Sequence, residues 1–352
     1  MAVAKLFMES LRAAFEDQLV ISLDDDGDAV IGETVFNPVT ILRSDSEAWT
    51  AEFNAWLNDT WLPEQSNRLE DILSATGNRK RFNDLCIAIQ NEQVVPLIGS
   101  GMCVPSHLPK WSEFLRSVRK HSTIAEDQLE NLLNTCAFEE AIDRLLTAMP
   151  KRLFDECINH ELRIDEEMTI AGSVSLLPSL FGTLVLTTNL DNILETLYIH
   201  NERRFAHVLA GTKIAEYRTL RAESESFLLK LHGDSRSQDG RVLSTNEYER
   251  AYSPDGVIRR ELTLILQTKS ILFLGCSLGP DRTVSMIAEI AASDSNMPKH
   301  YAFVRQPATE DASIAREHFL TERDIFPVWY KGDHDECIQA LLIGIARHLG
   351  QL

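Results

Sequence analysis

From residue 94 onward, short apolar runs alternate with segments of helical spacing. Val94-Val95-Pro96-Leu97-Ile98 is the first run; 183–186, 227–231, 270–274, 300–304 and 325–330 follow. Four to six apolar residues bounded by polar turns suit strands buried on both faces, and helical segments between them suit the crossovers of a parallel sheet. Helices are expected at 111–121, 127–133, 138–149, 151–162, 283–292, 308–321 and 335–349. About eighty residues separate the first two strands, where an ordinary crossover needs only a dozen or so. The predicted fold is therefore α/β: a Rossmann-like doubly wound parallel sheet with a helical insertion at about 111–180.

The first ninety or so residues read differently. Leu6, Phe7, Leu11 and Phe15 share one helical face. The acidic run Asp24-Asp25-Asp26-Gly27-Asp28, between short β-branched segments, predicts a hairpin turn. Residues 46–62 read as a second helix carrying Trp49, Phe53, Trp56 and Trp61, and 68–91 supply more helix. Helically spaced aromatics pack inward as a rule, so these are expected in a core, a partner-contact surface being the alternative. A mainly helical N-terminal module over 1–90, for assembly or partner contact, thus precedes an α/β domain over 91–352.

Charge and cysteine usage narrow the ligands. The 352 residues carry 34 basic and 53 acidic side chains, a formal net charge of −19. Such a surface repels phosphate backbones, so direct nucleic-acid binding is not expected. No apolar stretch reaches the roughly 20 residues of a membrane helix, and no signal peptide is expected. Cysteines at 86, 103, 136, 157, 276 and 337 form no CxxC pair, and the ten histidines show no metal-ligand spacing. Scattered thiols indicate a reducing, cytoplasmic setting, without disulfides or a structural zinc, and no metal is expected.

The chemistry concentrates where strands end. Four runs terminate in Gly99-Ser100-Gly101, Thr187-Thr188-Asn189-Leu190-Asp191, Lys230-Leu231-His232-Gly233 and Gly275-Cys276-Ser277-Leu278. Ligands of open parallel sheets bind beyond the carboxyl ends of the strands, so these four ends face one ligand. Gly99 and Gly101 suit the close approach of backbone to a diphosphate, or simply a tight turn. Asn189 or Asp191 alone would be a helix cap; two polar groups flanking Leu190 exceed what a cap requires. His232 is a base candidate by position, or a structural histidine. Cys276 reads as a buried thiol more than a nucleophile, Ser277 as a cap or a ribose or phosphate contact, and Asp281, beside Arg282, as a cap.

Taken in order, these motifs resemble the sirtuin family, and more closely its bacterial sirtuin-like branch in anti-phage defence. Gly99-Ser100-Gly101 resembles the Gly-Ala-Gly turn over the NAD diphosphate, and Leu108-Pro109-Lys110-Trp111 the Leu-Pro-x-Trp that follows it in the bacterial branch. Thr187-Thr188-Asn189-Leu190-Asp191 is similar to that branch's Thr-Thr-Asn-x-Asp. Lys230-Leu231-His232-Gly233 resembles the segment carrying the sirtuin histidine, and Phe273-Leu274-Gly275-Cys276-Ser277-Leu278 the Gly-x-Ser-Leu strand end on the adenosine side. The resemblance covers roughly 94–330.

It implies NAD as substrate and hydrolysis to nicotinamide and ADP-ribose. Asn189, Asp191 and His232 would be catalytic: Asn189 orienting water and the ribose hydroxyls, Asp191 holding the carboxamide, His232 acting as base. Gly99, Ser100, Gly101, Thr188, Gly275 and Ser277 would bind the cofactor. Two departures stand out. The cysteine pairs of the deacylase zinc ribbon are missing after His232, which disfavours an NAD-dependent protein deacylase; the deacylase Asp-Phe-Arg after the glycine turn is absent as well. A non-catalytic subunit sensing NAD or ADP-ribose within an ATPase-containing complex is the other alternative. The resemblance further implies a homo-oligomer and a HerA-type ATPase or Argonaute-type partner; because an uncontrolled NAD hydrolase would be toxic, gating by assembly or a partner is expected.

Overall fold

Buried β-branched and leucine-rich runs pair side by side to form the centre of the computed structural model, which describes residues 5–21, 29–31, 34–164, 169–223, 226–279, 282–293 and 297–352. An N-terminal hairpin, β1 (Ala29–Ile31) and β2 (Thr34–Phe36), stands apart from the main sheet. The main strands are β3 (Val94–Ile98), β4 (Leu184–Thr187), β5 (His207–Ala210), β6 (Phe227–Lys230), β7 (Ser270–Leu274), β8 (His300–Arg305) and β9 (Ile325–Tyr330). They form one seven-stranded sheet in the order β5-β6-β4-β3-β7-β8-β9, with every pair parallel.

This is the predicted Rossmann-like architecture. The chain passes from β3 to β4, out to the edge strand β5 and back to β6 between them, then crosses to the other side of β3 with β7, so the strand order reverses between β3 and β7. Register puts the strand ends level: Ile98 lies beside Thr187 and Leu274, and Thr187 beside Lys230. All four motifs therefore leave the same edge of the sheet. The short edge strand β5 was not expected, nor were the helices Thr245–Tyr252 and Val257–Leu266.

Alternation along the strands sends side chains to two cores. Ile98, Leu272 and Leu274 face one side, with the N-terminal helices and the last helix, His334–His348; Val95, Leu97 and Phe273 face the other, against Val257–Leu266. The insertion forms helices Trp111–Arg119, Glu126–Asn134, Phe138–Ala148 and Lys151–Glu161 around a third core built on Phe114, Leu129, Ile142 and Phe154. Leu190 and Leu243 reach into that core from the sheet domain. Burying a side chain of this size contributes about 2 kcal/mol, so the insertion is anchored beside the strand ends.

The hairpin differs from expectation. Gln18–Ile21 continue the first helix, Lys5–Ile21, and Leu19 packs on its core side. The strands β1 and β2 are joined across two residues only, and the acidic run expected to form the turn lies outside the described residues. The aromatic segment packs inward: Phe53 and Trp61 are buried, and Phe15 meets Trp49, Phe53 and Trp56 at centroid distances of 5.5–5.7 Å. The helix Ser46–Trp56 runs on through a five-residue π-helical stretch, Leu57–Trp61, into Leu62–Ser74. Pro63, which has no amide hydrogen to give, follows that stretch.

His300 opens β8 fully buried, its Nδ1 accepting the Ile271 amide at 3.1 Å, and burial pushes its pKa down to about 4. The unfolded chain, titrating near 6.5, takes up the proton first. The stabilisation is therefore complete above pH 6.5 and lost as pH falls toward 4, by about 3 kcal/mol for one such group. Denaturant titrations of His300→Asn between pH 4 and 7 should show a shallower acid loss than wild type. Equal slopes would contradict it.

Candidate active site

Two backbone turns touch at the point where the strand order reverses. The Gly99 amide donates to the Leu274 carbonyl at 2.8 Å and the Gly101 amide to the Gly275 carbonyl at 3.0 Å. Gly275 adopts φ +66°, and a Cβ there would lie 2.5 Å from the Met102 nitrogen; one on Gly99 would lie 2.5 Å from the Gly275 carbonyl. Only bare Cα atoms allow this approach. Since the Gly99 and Gly101 amides bond to the β7 turn, these two residues offer a ligand a side-chain-free surface rather than two donors.

Over this contact lies a cavity of about 1060 Å³. It is lined by Gly99, Ser100 and Gly101 from the β3 end, Thr188, Asn189 and Asp191 from β4, His232 from β6, and Gly275 and Ser277 from β7. All nine residues singled out in the sequence are thus gathered around one space. The insertion supplies a further wall through Cys136, Phe138 and Glu140. A crevice of this size at a sheet's switch point has the place and room of a dinucleotide site.

The β4 loop is held from below by a buried ammonium. Lys230 is fully buried, and its Nζ donates to the Leu190 carbonyl at 3.2 Å, the Asp191 carbonyl at 2.6 Å, Glu195 at 2.9 Å and Asp234 at 2.9 Å. Arg236 bonds the same two carboxylates at 3.1 and 3.0 Å. Burial alone would lower the Lys230 pKa; Glu195 and Asp234 outweigh it and raise it. Burial likewise opposes ionisation of Asp234, but its bonds to Arg236 and Lys230 hold its carboxyl below the usual range. The Ser235 amide adds a bond to the Leu190 carbonyl at 2.8 Å. The backbone between Asn189 and Asp191 is thereby tied to the segment that follows His232.

Asn189 and Asp191 are both largely buried on the cavity wall. Asp191, just before the N-cap residue Asn192, accepts the Ile193 amide at 3.0 Å, so a structural bond at the start of the helix Ile193–His200 coexists with its place in the cavity. Burial raises its pKa, with the Lys230 charge partly offsetting. The Asn189 amide nitrogen Nδ2 lies 3.2 Å from the Cys103 sulfur. His232 Nε2 meets the Tyr252 hydroxyl at 3.0 Å, and the Tyr248 hydroxyl lies 3.1 Å from Nδ1. Burial lowers the His232 pKa to about 4, against a bond to the Thr188 backbone, so the ring is neutral near pH 7.

Lys230, Cys103, Tyr248 and Tyr252 were assigned no role in the sequence. A lysine inside the apolar run 227–231 was a visible signal, because lysine is almost never fully buried without carboxylate partners. Tyr248 and Tyr252, four apart, share a helix face, but nothing in their spacing points to His232. Among the described residues, no cluster of His, Cys, Asp and Glu is placed to hold a metal ion, and no helix is long and apolar enough to cross a membrane. Lys230→Met would strand two buried carboxylates beside Arg236 and destabilise the fold by about 3–5 kcal/mol. Chemical denaturation measures this; a loss below about 1 kcal/mol would contradict the arrangement.

Comparison with known proteins yields one family match and two relatives. The SIR2-like domain family matches residues 183–327, from the strand that carries Asn189 into β9. The chain is 22% identical over 201 residues to Defense-associated sirtuin 2 of Bacillus subtilis, covering 56% of this chain and 19% of that protein. It is 24% identical over 216 residues to NAD(+) hydrolase ThsA of Acinetobacter baumannii (strain 532279), covering 61% of this chain and 43% of that protein. The matches thus span less than half the length of either relative. The glycine turn at 99–101 precedes the matched family segment, yet β3 pairs directly with β4 and β7 and brings it to the same edge. The segment that is similar to the SIR2-like domain family lies within the Rossmann-like α/β sheet and includes the strand ends that carry Asn189, Asp191, His232 and Gly275.

Proposed function

We propose that the chain is an NAD⁺ hydrolase, converting NAD⁺ and water to nicotinamide and ADP-ribose. The observation that carries this reading is the convergence of Asn189, Asp191 and His232, from two different strand ends, on one cavity beside the Gly99–Gly275 contact. The similarity to a protein named NAD(+) hydrolase and another named Defense-associated sirtuin supports it.

Breaking the nicotinamide–ribose bond places oxocarbenium character on the ribose, while the leaving group is already cationic and needs no proton. The protein must hold the ribose, orient the nicotinamide carboxamide and place water on the opposite face. The diphosphate lies over the β3–β7 turn contact, with Gly99, Ser100 and Gly101 below it. The adenosine ribose then runs toward Gly275 and Ser277, and the nicotinamide ribose toward β4 and β6, beside Thr188. There Asn189 orients water and ribose hydroxyls, Asp191 receives the carboxamide, and neutral His232 accepts a proton from a ribose hydroxyl or water.

Unchecked NAD hydrolysis would harm the cell that makes the enzyme, so the activity is gated. We assign the protein to anti-phage defence in the cytoplasm, acting as a homo-oligomer or beside a HerA-type ATPase or Argonaute-type partner. Turnover is followed as nicotinamide release by chromatography, with and without the neighbouring operon product. Asn189→Ala and His232→Ala should each lose at least about 100-fold in kcat while still binding ADP-ribose. Variants as fast as wild type would refute the role assignment. His232 must be neutral to accept a proton, so kcat/KM should hold from about pH 8 down to 5 and fall through about 4. An acid limb near 6.5 would contradict the neutral buried ring.

A further inference from the structure

His232 does not stand at the cavity alone. The helix Thr245–Tyr252 carries Tyr248 and Tyr252 four residues apart, so their rings share one helix face, with centroids 5.3 Å apart. Glu247 fixes the start of this helix by accepting the Leu243 and Ser244 amides at 3.0 and 2.9 Å. The Thr245 amide adds a bond to Asp143 of the insertion at 3.3 Å. The Tyr252 hydroxyl lies 3.0 Å from His232 Nε2 and 3.2 Å from the Thr283 hydroxyl. The Tyr248 hydroxyl lies 3.1 Å from Nδ1 and 3.2 Å from Nε2. Tyr252 is buried, whereas Tyr248 is half-buried and lines the cavity with His232 and Thr283.

Counting donors and acceptors leads to the same contact for either tautomer. A neutral imidazole has one N–H and one accepting nitrogen. With the hydrogen on Nε2 the acceptor is Nδ1, and the Tyr248 hydroxyl is 3.1 Å from it. With the hydrogen on Nδ1 the acceptor is Nε2, and the same hydroxyl is 3.2 Å from it. The nitrogen that takes up a proton therefore already has the Tyr248 hydroxyl within hydrogen-bond distance. Tyr252 can give its own hydrogen to Thr283, which frees its oxygen to accept from Nε2. Once a proton has arrived, both ring nitrogens donate, and each has a phenol oxygen in reach.

We infer that Tyr248 is the group that meets the substrate's proton and passes it to His232, while Tyr252 and Thr283 hold the ring. The O–H bond of a ribose hydroxyl or water breaks, and its hydrogen forms a new O–H bond on the Tyr248 oxygen. The hydrogen that Tyr248 held bonds to the lone pair of the accepting imidazole nitrogen. Tyr248 ends as a neutral phenol and His232 as an imidazolium, and the substrate oxygen keeps the electron pair. The relay deepens the proposed NAD hydrolysis and rests on it; the contact between Tyr248 and His232 does not.

Tyr248→Phe and Tyr252→Phe test it, with melting curves to confirm folding. Nitrogen-15 NMR of the His232 ring near pH 7 should show the signal of the accepting nitrogen moving in Tyr248→Phe, where the phenol hydrogen bond is gone. For NAD, Tyr248→Phe should lower kcat about 10- to 100-fold with KM changed less than about 3-fold, and Tyr252→Phe, which leaves the relay in place, less than about 5-fold. A ring signal unmoved by Tyr248→Phe overturns the inference whatever the activity. A moved signal in a protein whose wild type releases no nicotinamide, alone or with the neighbouring operon product, supports the contact and rejects the hydrolase reading. A moved signal with wild-type kcat, or equal losses in the two variants, confines Tyr248 to supporting the ring and overturns the relay.

Discussion

A fully buried ammonium is the constraint on which the site depends. Lys230 sits at the end of β6, two residues before His232, and bonds the backbone carbonyls of Leu190 and Asp191 across the sheet. A charge so placed is tolerated only because Glu195 and Asp234 neutralise it and backbone oxygens complete its bonds. Its two bonds to those carbonyls join the loop bearing Asn189 and Asp191 to the segment bearing His232. Groups on separate strands thereby keep one spacing, as a reacting centre needs.

Around that anchor the site suits uncharged polar chemistry in an otherwise acidic protein. Burial lowers His232 and raises Cys103 and Asp191, each shift favouring the neutral form. Hydrogen bonds order these groups: the Asn189 amide nitrogen lies against the Cys103 sulfur, and the two tyrosine hydroxyls against His232. The glycines of β3 and β7 add the complementary feature, a stretch of backbone with no side chains where a ligand can lie close. The insertion, anchored through Leu190, Leu243 and the buried Arg241–Asp155 pair at 2.8 Å, closes the remaining side.

Much of this was legible in the residues because the signals were local. Continuous apolar runs such as 94–98 and 270–274 are too short for buried helices and suit strands buried on both faces, and the observed bounds match them. Placing the polar motifs at strand ends required only that the sheet be parallel. The edge strand β5 escaped because His207-Val208-Leu209-Ala210 is short and its Val208 is 40% exposed, so it has no buried run. The apolar residues before the acidic run at 24–28 belong to the helix Lys5–Ile21, and the run itself lies outside the described residues. Cys103 and the tyrosines at His232 take their meaning from contacts across 86 and 16–20 residues of chain, which no periodicity encodes.

The proposed site gives a dinucleotide one direction across the switch point, which a crystal structure with ADP-ribose bound would reveal. The diphosphate is expected over Gly99–Gly101, the adenosine ribose at Gly275 and Ser277, and the free ribose within hydrogen-bond reach of Asn189 or His232. A ligand lying the other way round, or bound away from the strand ends altogether, would contradict it.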